Sequence, residues 1–440
     1  MSKAYPKYKP SGVEWLGDVP EHWEVKRVDF LATVKARLGW KGLTADEYVN
    51  DGYIFLSTPN IKGENDIDFQ NVNYISKERY FESPEIILKE GDVILAKDGS
   101  TLGTVNRVKR LPSPATVNSS LAILRPQLAL ESEFLFRWIS SPIIQSLIEK
   151  FKDGQGVPHL FQADIRKFLI LLPPLPEQQA IAAFLDRETG RIDALIAKKE
   201  RLLELLAEQR TALISRAVTK GLDTSVKLKP SGVEWLGDVP EHWVLKAIKW
   251  TTPVFRGASP RPIDDPVYFD DEGEYAWVRI ADVTASKVYL EETTQRLSDI
   301  GSSLSVKMQP GALFVSIAGT VGVPCITKIK CCIHDGFIYF PRLKTDTKFM
   351  YYIFACGEPY KGLGKMGTQL NLNTDTVGSI VMGYPPLTEQ QAIAAYLDRE
   401  TAKIDALSGK VTTVIERLKE YRTALISSAV TGKIDVREAV

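Results

Sequence analysis

Net charge is absent from this chain: 55 lysines and arginines face 55 aspartates and glutamates across 440 residues. A protein that holds nucleic acid by bulk attraction carries a basic excess. Any phosphate contact here must therefore come from a local patch, or a partner must supply much of the attraction. The two long stretches 24–172 and 244–384 do not alter this, with 19 basic against 19 acidic side chains and 15 against 14. Long apolar runs are missing too; none approaches the roughly 18–20 residues needed to cross a bilayer. The opening MSKAYPKYKPSG has lysines with no apolar stretch behind them, so it does not read as a secretory signal, and the cytoplasm is the expected location. Cysteine is scarce. Cys325, Cys331, Cys332 and Cys356 all fall in 244–384 without a CxxC pair, so buried or incidental thiols are expected rather than a disulfide framework or a zinc site.

Signatures of catalysis are also lacking. A phosphate-binding loop needs GxxxxGK followed by Ser or Thr, but Gly364-Lys365 and Gly432-Lys433 are followed by Met366 and Ile434. The Pro-Pro pairs at 173–174 and 385–386 follow Leu172 and Tyr384 and precede leucines, not the Asp/Asn-Pro-Pro-aromatic order of an amino-methyltransferase. Pro84-Glu85 before Lys97 hints at a metal nuclease, but the acidic residue required two places before the lysine is Leu95. The four histidines are scattered. This composition points to binding, with no catalytic or metal-ligating residues expected.

What the chain has instead is repetition. Residues 9–23, KPSGVEWLGDVPEHW, recur letter for letter at 229–243. PPLPEQQAIAAFLDRETGRIDAL at 173–195 recurs as PPLTEQQAIAAYLDRETAKIDAL at 385–407, with 19 of 23 positions identical. The two offsets, 220 and 212 residues, leave inserts that differ in length by 8 residues and share only scattered matches. The order is therefore a strap (1–23), an insert (24–172), a helical block (173–228), a repeated strap (229–243), a second insert (244–384) and a second helical block (385–440). The frame was kept while its inserts diverged, so the same task is performed twice on two targets.

The straps are punctuated by Pro-Ser-Gly, Gly-Asp and Val-Pro-Glu. They read as turn-rich segments clamped by Trp15, Leu16, Val19 and Trp23, with no direct role expected for His22 or His242. The inserts read as α/β: GDVILA (91–96), SLAILRP (120–126), ALFVSIAG (312–319) and GFIYFP (336–341) are strand-like. Residues 134–151 and 348–356 carry helical spacing. Two traces of common ancestry survive, GDVILAKDGSTLG with GALFVSIAGTVG and YIFLSTPNI with YAWVRIADV. In the helical blocks the pattern predicts a short helix from about Glu177 to Asp186 and a rod from about Thr189 to Thr219. The rod's apolar stripe includes Ile192, Leu195, Leu202, Leu206 and Leu213, and its twin uses Ile404, Leu407, Val414, Leu418 and Leu425. Each rod needs a partner for its stripe; the economical arrangement packs the two rods antiparallel, and a stripe facing another protein is the alternative, compatible with the first if the bundle has an outer apolar edge.

The strap block, the PPLxEQQxIAxxLD entry to a long helix and the RTALIS…AVT exit (210–219 and 422–431), duplicated in this order, resemble the specificity subunit of type I restriction–modification enzymes over essentially the whole chain. The resemblance implies an α+β fold: two α/β target-recognition domains separated by two long antiparallel helices, a coiled-coil spacer with pseudo-two-fold internal symmetry. It implies that each insert reads one half of a bipartite, asymmetric site in double-stranded DNA. The helices would set the gap and dock two methyltransferase (modification) subunits. S-adenosylmethionine, ATP and Mg are then expected on partner subunits, the last two with a motor-nuclease (restriction) subunit, and no cofactor on this chain. A tandem binding or scaffold protein with no DNA role is the alternative, and a catalytic subunit of the same system a more distant one. A neighbouring gene for a methyltransferase with an Asn-Pro-Pro-aromatic motif separates them.

Base readout uses Arg or Lys for guanine, Asn or Gln for adenine, and Ser or Thr as adaptable contacts, on loops at the edge of a rigid sheet. In the first insert the candidates are Lys97, Ser100 and Thr101 in the loop after a strand, then Gln155 and His159 on the turn before the last strand. Lys35, Arg37 and Lys41 are candidate phosphate contacts. In the second insert they are Ser316 and Thr320 around Gly319, then Gln369, Asn371 and Asn373, with Arg256 and Arg261 suited to phosphate.

Overall fold

A computed structural model describes residues 3–37, 43–63, 66–151, 158–360 and 372–438. The chain forms two compact units, one of residues 1–199 with 413–440 and the other of residues 200–412. Each long helix therefore contributes one half to each unit, a division the linear order of blocks does not suggest.

The first insert begins and ends on one antiparallel pair, Glu24–Arg27 with Leu169–Leu172, so the module returns to the frame where it left it. Between them lie two four-stranded sheets. One is antiparallel, in the order Ala32–Ala36, Leu121–Pro126, Val93–Ala96, Val105–Arg107. The other runs Ala115–Val117, Tyr53–Leu56, Asn73–Ile75, Tyr48–Val49, with the first pair parallel. Ile54, Leu56 and Val117 of one meet Ile94, Ala96 and Ile123 of the other in a shared core. Burial on both faces explains why VILA carries no polar alternation.

The second insert repeats the plan. Val244–Ala247 closes on Val381–Tyr384, and a five-stranded and a four-stranded sheet share a core of Phe314, Cys325 and Phe337 with Val278, Cys331 and Ile333. Both traces of ancestry fall on equivalent structure. Tyr53–Leu56 and Tyr275–Val278 each take a parallel neighbour. Val93–Ala96 and Leu313–Ser316 each run into a loop that turns back through a left-handed glycine, Gly103 or Gly322.

Two helical expectations differ from the structure. Residues 134–151 are two helices, Ser132–Ile139 and Pro142–Glu149, because Pro142 opens the second and cannot continue the first. The short helix and the rod are one helix, Leu175–Lys220, of 46 residues. Thr189 does not cap a new start there; its hydroxyl donates back to the Leu185 carbonyl at 2.7 Å, within the running helix. Its twin, Leu387–Val430, has 44 residues. At about 1.5 Å per residue the two reach roughly 65–70 Å, longer than the rods read from the sequence. They run antiparallel. Asp193 pairs with Arg422 at 2.8 Å in one unit, and Arg210 with Asp405 at 3.3 Å in the other. These are the same two repeat positions taken in opposite combination.

The repeated motif PPLxEQQAIAxxLD is a set of three grips. Glu177 accepts from the Trp23 indole at 3.0 Å and the Tyr5 hydroxyl at 2.6 Å, and its second oxygen lies 2.7 Å from His22 Nε2. Burial, then the Glu177 bond, pushes the Tyr5 phenol above its ordinary range. Gln178 accepts from the Glu131 amide at 2.8 Å, just before the insert helix Ser132–Ile139. Asp186 meets Arg137 of that helix at 2.6 Å. In the second copy Glu389 takes Trp243 and His242, Gln390 takes the Asp346 amide, and Asp398 takes Lys348 and Tyr352. His22 and His242 thus hold the straps in place.

The two anchors are unequal. Glu177 is 5% exposed and serves a third donor, whereas Glu389 is 28% exposed and the position matching Tyr5 is Ser225. Glu177→Ala strands buried donors and is expected to cost about 2–4 kcal/mol, against roughly 1–2 kcal/mol for Glu389→Ala. Denaturant unfolding of both variants measures the order; equal losses would contradict it.

Candidate nucleic-acid interface

In the first unit the two segments picked from sequence come together. The Lys97–Thr101 loop and the strand-like residues 158–160 are joined by Gly99 N–H to the Pro158 carbonyl at 3.0 Å and Leu160 N–H to the Lys97 carbonyl at 2.9 Å. Asp98 sits between the side chains, 2.9 Å from Lys97 Nζ and hydrogen-bonded to His159. Lys97 is largely buried, Thr101 half-buried and Ser100 exposed. The Lys97 amide also bonds the Ser120 carbonyl at 2.9 Å, bringing the turn Asn118–Ser119–Ser120 to the same edge.

The second unit builds a corresponding edge around His334–Asp335–Gly336. Ile317 N–H bonds the Gly336 carbonyl at 2.7 Å, as Lys97 does Ser120. Arg261 pairs with Asp335 at 2.8 Å, Ser259 donates to its other oxygen at 3.0 Å, and Arg256 Nε donates to its backbone carbonyl. Burial alone would raise the Asp335 pKa, but the Ser259 bond and the Arg261 and Arg256 cations outweigh it and hold the carboxyl below its usual range. Burial pulls the neighbouring His334 below the ordinary histidine value, so this ring is neutral at pH 7. At each edge one carboxylate already holds a cation, Asp98 with Lys97 and Asp335 with Arg261.

Several expectations need correction. Arg37 is buried, with its guanidinium over the Phe55 ring at 5.8 Å; burial and then the Arg79 charge lower its pKa, and it does not present itself to phosphate. Ser316 is fully buried; its hydroxyl donates to the Thr320 carbonyl and accepts from the Val323 amide at 3.0 Å, closing its own turn. Asn373 stays exposed, but its side-chain oxygen caps Thr374–Ser379 through the Thr376 amide at 2.8 Å. Lys35 and Thr320 are exposed. Lys41, Gln155, Gln369 and Asn371 lie outside the described residues. Along the helices, Ile192, Leu206 and Leu425 are buried and Leu202, Leu213, Ile404 and Leu418 partly so. Leu195, Leu407 and Val414 are exposed, uncovered by this chain.

Sequence reasoning missed Asp98, Asp335 and the turns 118–120 and 334–336, because their roles depend on strands brought together from distant segments. It also missed Phe161, 62% exposed with its ring 4.3 Å from that of His159. Among the described residues no group of three or more His, Cys, Asp or Glu could hold a metal, and no helix is long and apolar enough to cross a membrane.

Two insert modules in a duplicated frame of straps and antiparallel helices, each offering a polar loop edge, define a two-headed recognition scaffold. The type I restriction modification DNA specificity domain matches residues 20–205 and 257–417, and the chain belongs to that family. It is 25% identical to the MjaVIII specificity subunit of Methanocaldococcus jannaschii, over 95% of this chain and 94% of that one. It is 22% identical to the EcoKI specificity subunit of Escherichia coli K12, over 95% and 90%. Among solved structures, a chain from a study of complex assembly and conformational transition in the type I R-M system shares the fold at TM-score 0.75 and 20% identity, covering 94% of this chain and 99% of that one. The HsdS subunit from Thermoanaerobacter tengcongensis matches at TM-score 0.54 and 18% identity, over 94% and 98%.

The four cysteines are all buried. Burial pushes Cys325 and Cys332 up to about 12 and Cys331 to about 11. Thiolate is the reactive form, so labelling of the native protein at neutral pH is expected to run at least ~100-fold slower than in denaturant. One thiol labelling at the unfolded rate would contradict the buried placement.

Proposed function

We propose that this chain is the non-catalytic, sequence-reading subunit of a type I restriction–modification assembly. Each insert reads one half of a bipartite, asymmetric DNA site, and the long helices set the gap between halves. Two methyltransferase subunits dock on the repeated frame, with a motor-nuclease subunit joining the larger complex. The observation that carries this reading is the family match on both copies, combined with polar edges that occupy equivalent places and differ in side chains. Asn118–Ser119–Ser120 in one copy stands where His334–Asp335–Gly336 stands in the other. A frame repeated this closely offers two copies of one partner the same surface, while divergent edges suit two base sequences.

The test is an exchange. Replacing 24–172 with the insert of a relative, in cells that hold the methyltransferase, is expected to change one half of the methylated motif and leave the other half and the gap as they were. Methylome sequencing reads the outcome. Alteration of both halves would defeat the assignment of one reader per insert.

The gap has its own test. Asp193 and Arg210 are matched in opposite order by Arg422 and Asp405, so four residues added to one helix alone break the register of these ion pairs. Adding four residues to both, near Glu204 and Glu416, keeps each pair and lengthens each helix by about 6 Å. DNA advances ~3.4 Å per base pair, so the methylated motif is expected to gain one or two pairs between its halves. An active variant with the original gap would mean that the helices are not the ruler.

A further inference from the structure

The seven residues after each strap have diverged almost completely: EVKRVDF at 24–30 against VLKAIKW at 244–250, identical only at Lys26 and Lys246. Their backbone has not. Val28 and Ile248 are fully buried and open the 3₁₀ turns Val28–Phe30 and Ile248–Trp250. The Val28 amide bonds the Phe168 carbonyl at 2.8 Å, and the Ile248 amide bonds the Ile380 carbonyl at 3.0 Å. Each turn closes through the next amide, Leu31 to Val28 at 3.0 Å and Thr251 to Ile248 at 2.8 Å.

At buried places, retention of an apolar side chain needs no further reason. Val25 and Leu245, half-buried, and Val28 and Ile248 are kept apolar by packing. The third place kept in kind is different. Phe30 is 68% exposed and Trp250 is 75% exposed, the largest exposures of any aromatic side chain among the described residues. Each has a cation beside its ring, Arg27 at 5.8 Å from the Phe30 centroid and Lys249 at 5.7 Å from that of Trp250. The invariant Lys26 and Lys246 are exposed as well. An isolated surface aromatic is ordinary. An aromatic kept at the same exposed place in both units, while its neighbours changed, is not accounted for by the fold.

We infer that Phe30 and Trp250 are the anchor side chains of two equivalent protein-docking sites, each taken by one copy of the same partner, the methyltransferase subunit. The inference rests on the two-partner reading given above. What the residue faces must be common to both halves, since the polar edges, which face different targets, differ between copies. DNA phosphate is common to both halves, but an aromatic ring offers it little. A partner subunit present twice satisfies the requirement, and aromatic side chains are enriched at such interfaces and, with Trp foremost, at their hot spots. The complementary surface is an apolar pocket with carboxylates at its rim, matched to the ring and to Lys26 or Lys246.

The experiment uses the full chain, the purified methyltransferase subunit and a duplex carrying the methylated motif. Phe30→Ala, Trp250→Ala, the double variant, and the conservative Phe30→Trp and Trp250→Phe are compared. Sedimentation with titrated partner reads stoichiometry, a melting curve checks folding, and duplex binding by the assembled complex is measured separately. Each alanine variant is expected to weaken one of the two docking steps by roughly 30-fold, the size of an aromatic hot spot. The double variant should lose both, and the conservative variants should keep both, all with unchanged melting. A folded double variant that takes two partner copies with native affinity overturns the inference. Native assembly with weakened duplex binding overturns it in favour of a DNA contact. If the native chain takes no partner, the two-partner reading fails first and this inference with it, an outcome visible before any variant is made.

Discussion

Everything in each unit hangs from a carboxylate in the first turn of a long helix. Glu177 and Glu389 are set where the chain has just left a strand at a Pro-Pro step, and each collects the indole N–H of a strap tryptophan that is itself fully buried. A buried carboxylate without donors is costly, and a buried indole without an acceptor is costly too; together they satisfy one another. The site also suits negative charge, because it lies at the positive end of the helix dipole. Once that contact is made, the next residue, Gln178 or Gln390, fixes the backbone ahead of the insert helix, and Asp186 or Asp398, about two turns on, takes that helix's side chains. One short stretch of sequence thus locates the strap, the helix and the insert against each other. This is why it was kept while the inserts diverged.

The frame was legible in the sequence because its signals are local. Proline ends a strand, an apolar stripe at three- and four-residue steps marks a helix, and duplication identifies what is scaffold. The error at Thr189 was local too: a hydroxyl that can cap a helix can equally bond back within one, and only the backbone path decides. The edges of the inserts were half legible. Lys97 and His159 were chosen separately and lie together, but the residue that unites them, Asp98, has no signal of its own. Ser316 and Arg37 show the reverse failure. Their residue types suit DNA, yet one closes a turn and the other is buried over the Phe55 ring, because burial is decided by strands far away in the sequence.

The balanced charge acquires a structural meaning. At each candidate edge a carboxylate already holds a cation. Asp98 pairs with Lys97 and bonds the His159 ring, and the Asp335 carboxylate pairs with Arg261 while its backbone carbonyl accepts from Arg256. Phosphate approaching such an edge must replace a carboxylate already in place, so the gain is the difference between two similar attractions. Edges built this way suit discrimination by shape and hydrogen bonding more than strong general adhesion.

The antiparallel helices have one more property. Each carries both an aspartate and an arginine at the matching positions, Asp193 with Arg210 on one and Asp405 with Arg422 on the other. Either helix is therefore complementary to itself. Two copies of the first could pair head to tail with the same ion pairs that now join the first to the second. In the intact chain a partner helix is present on the same polypeptide at high effective concentration, which favours the pairing of the first helix with the second.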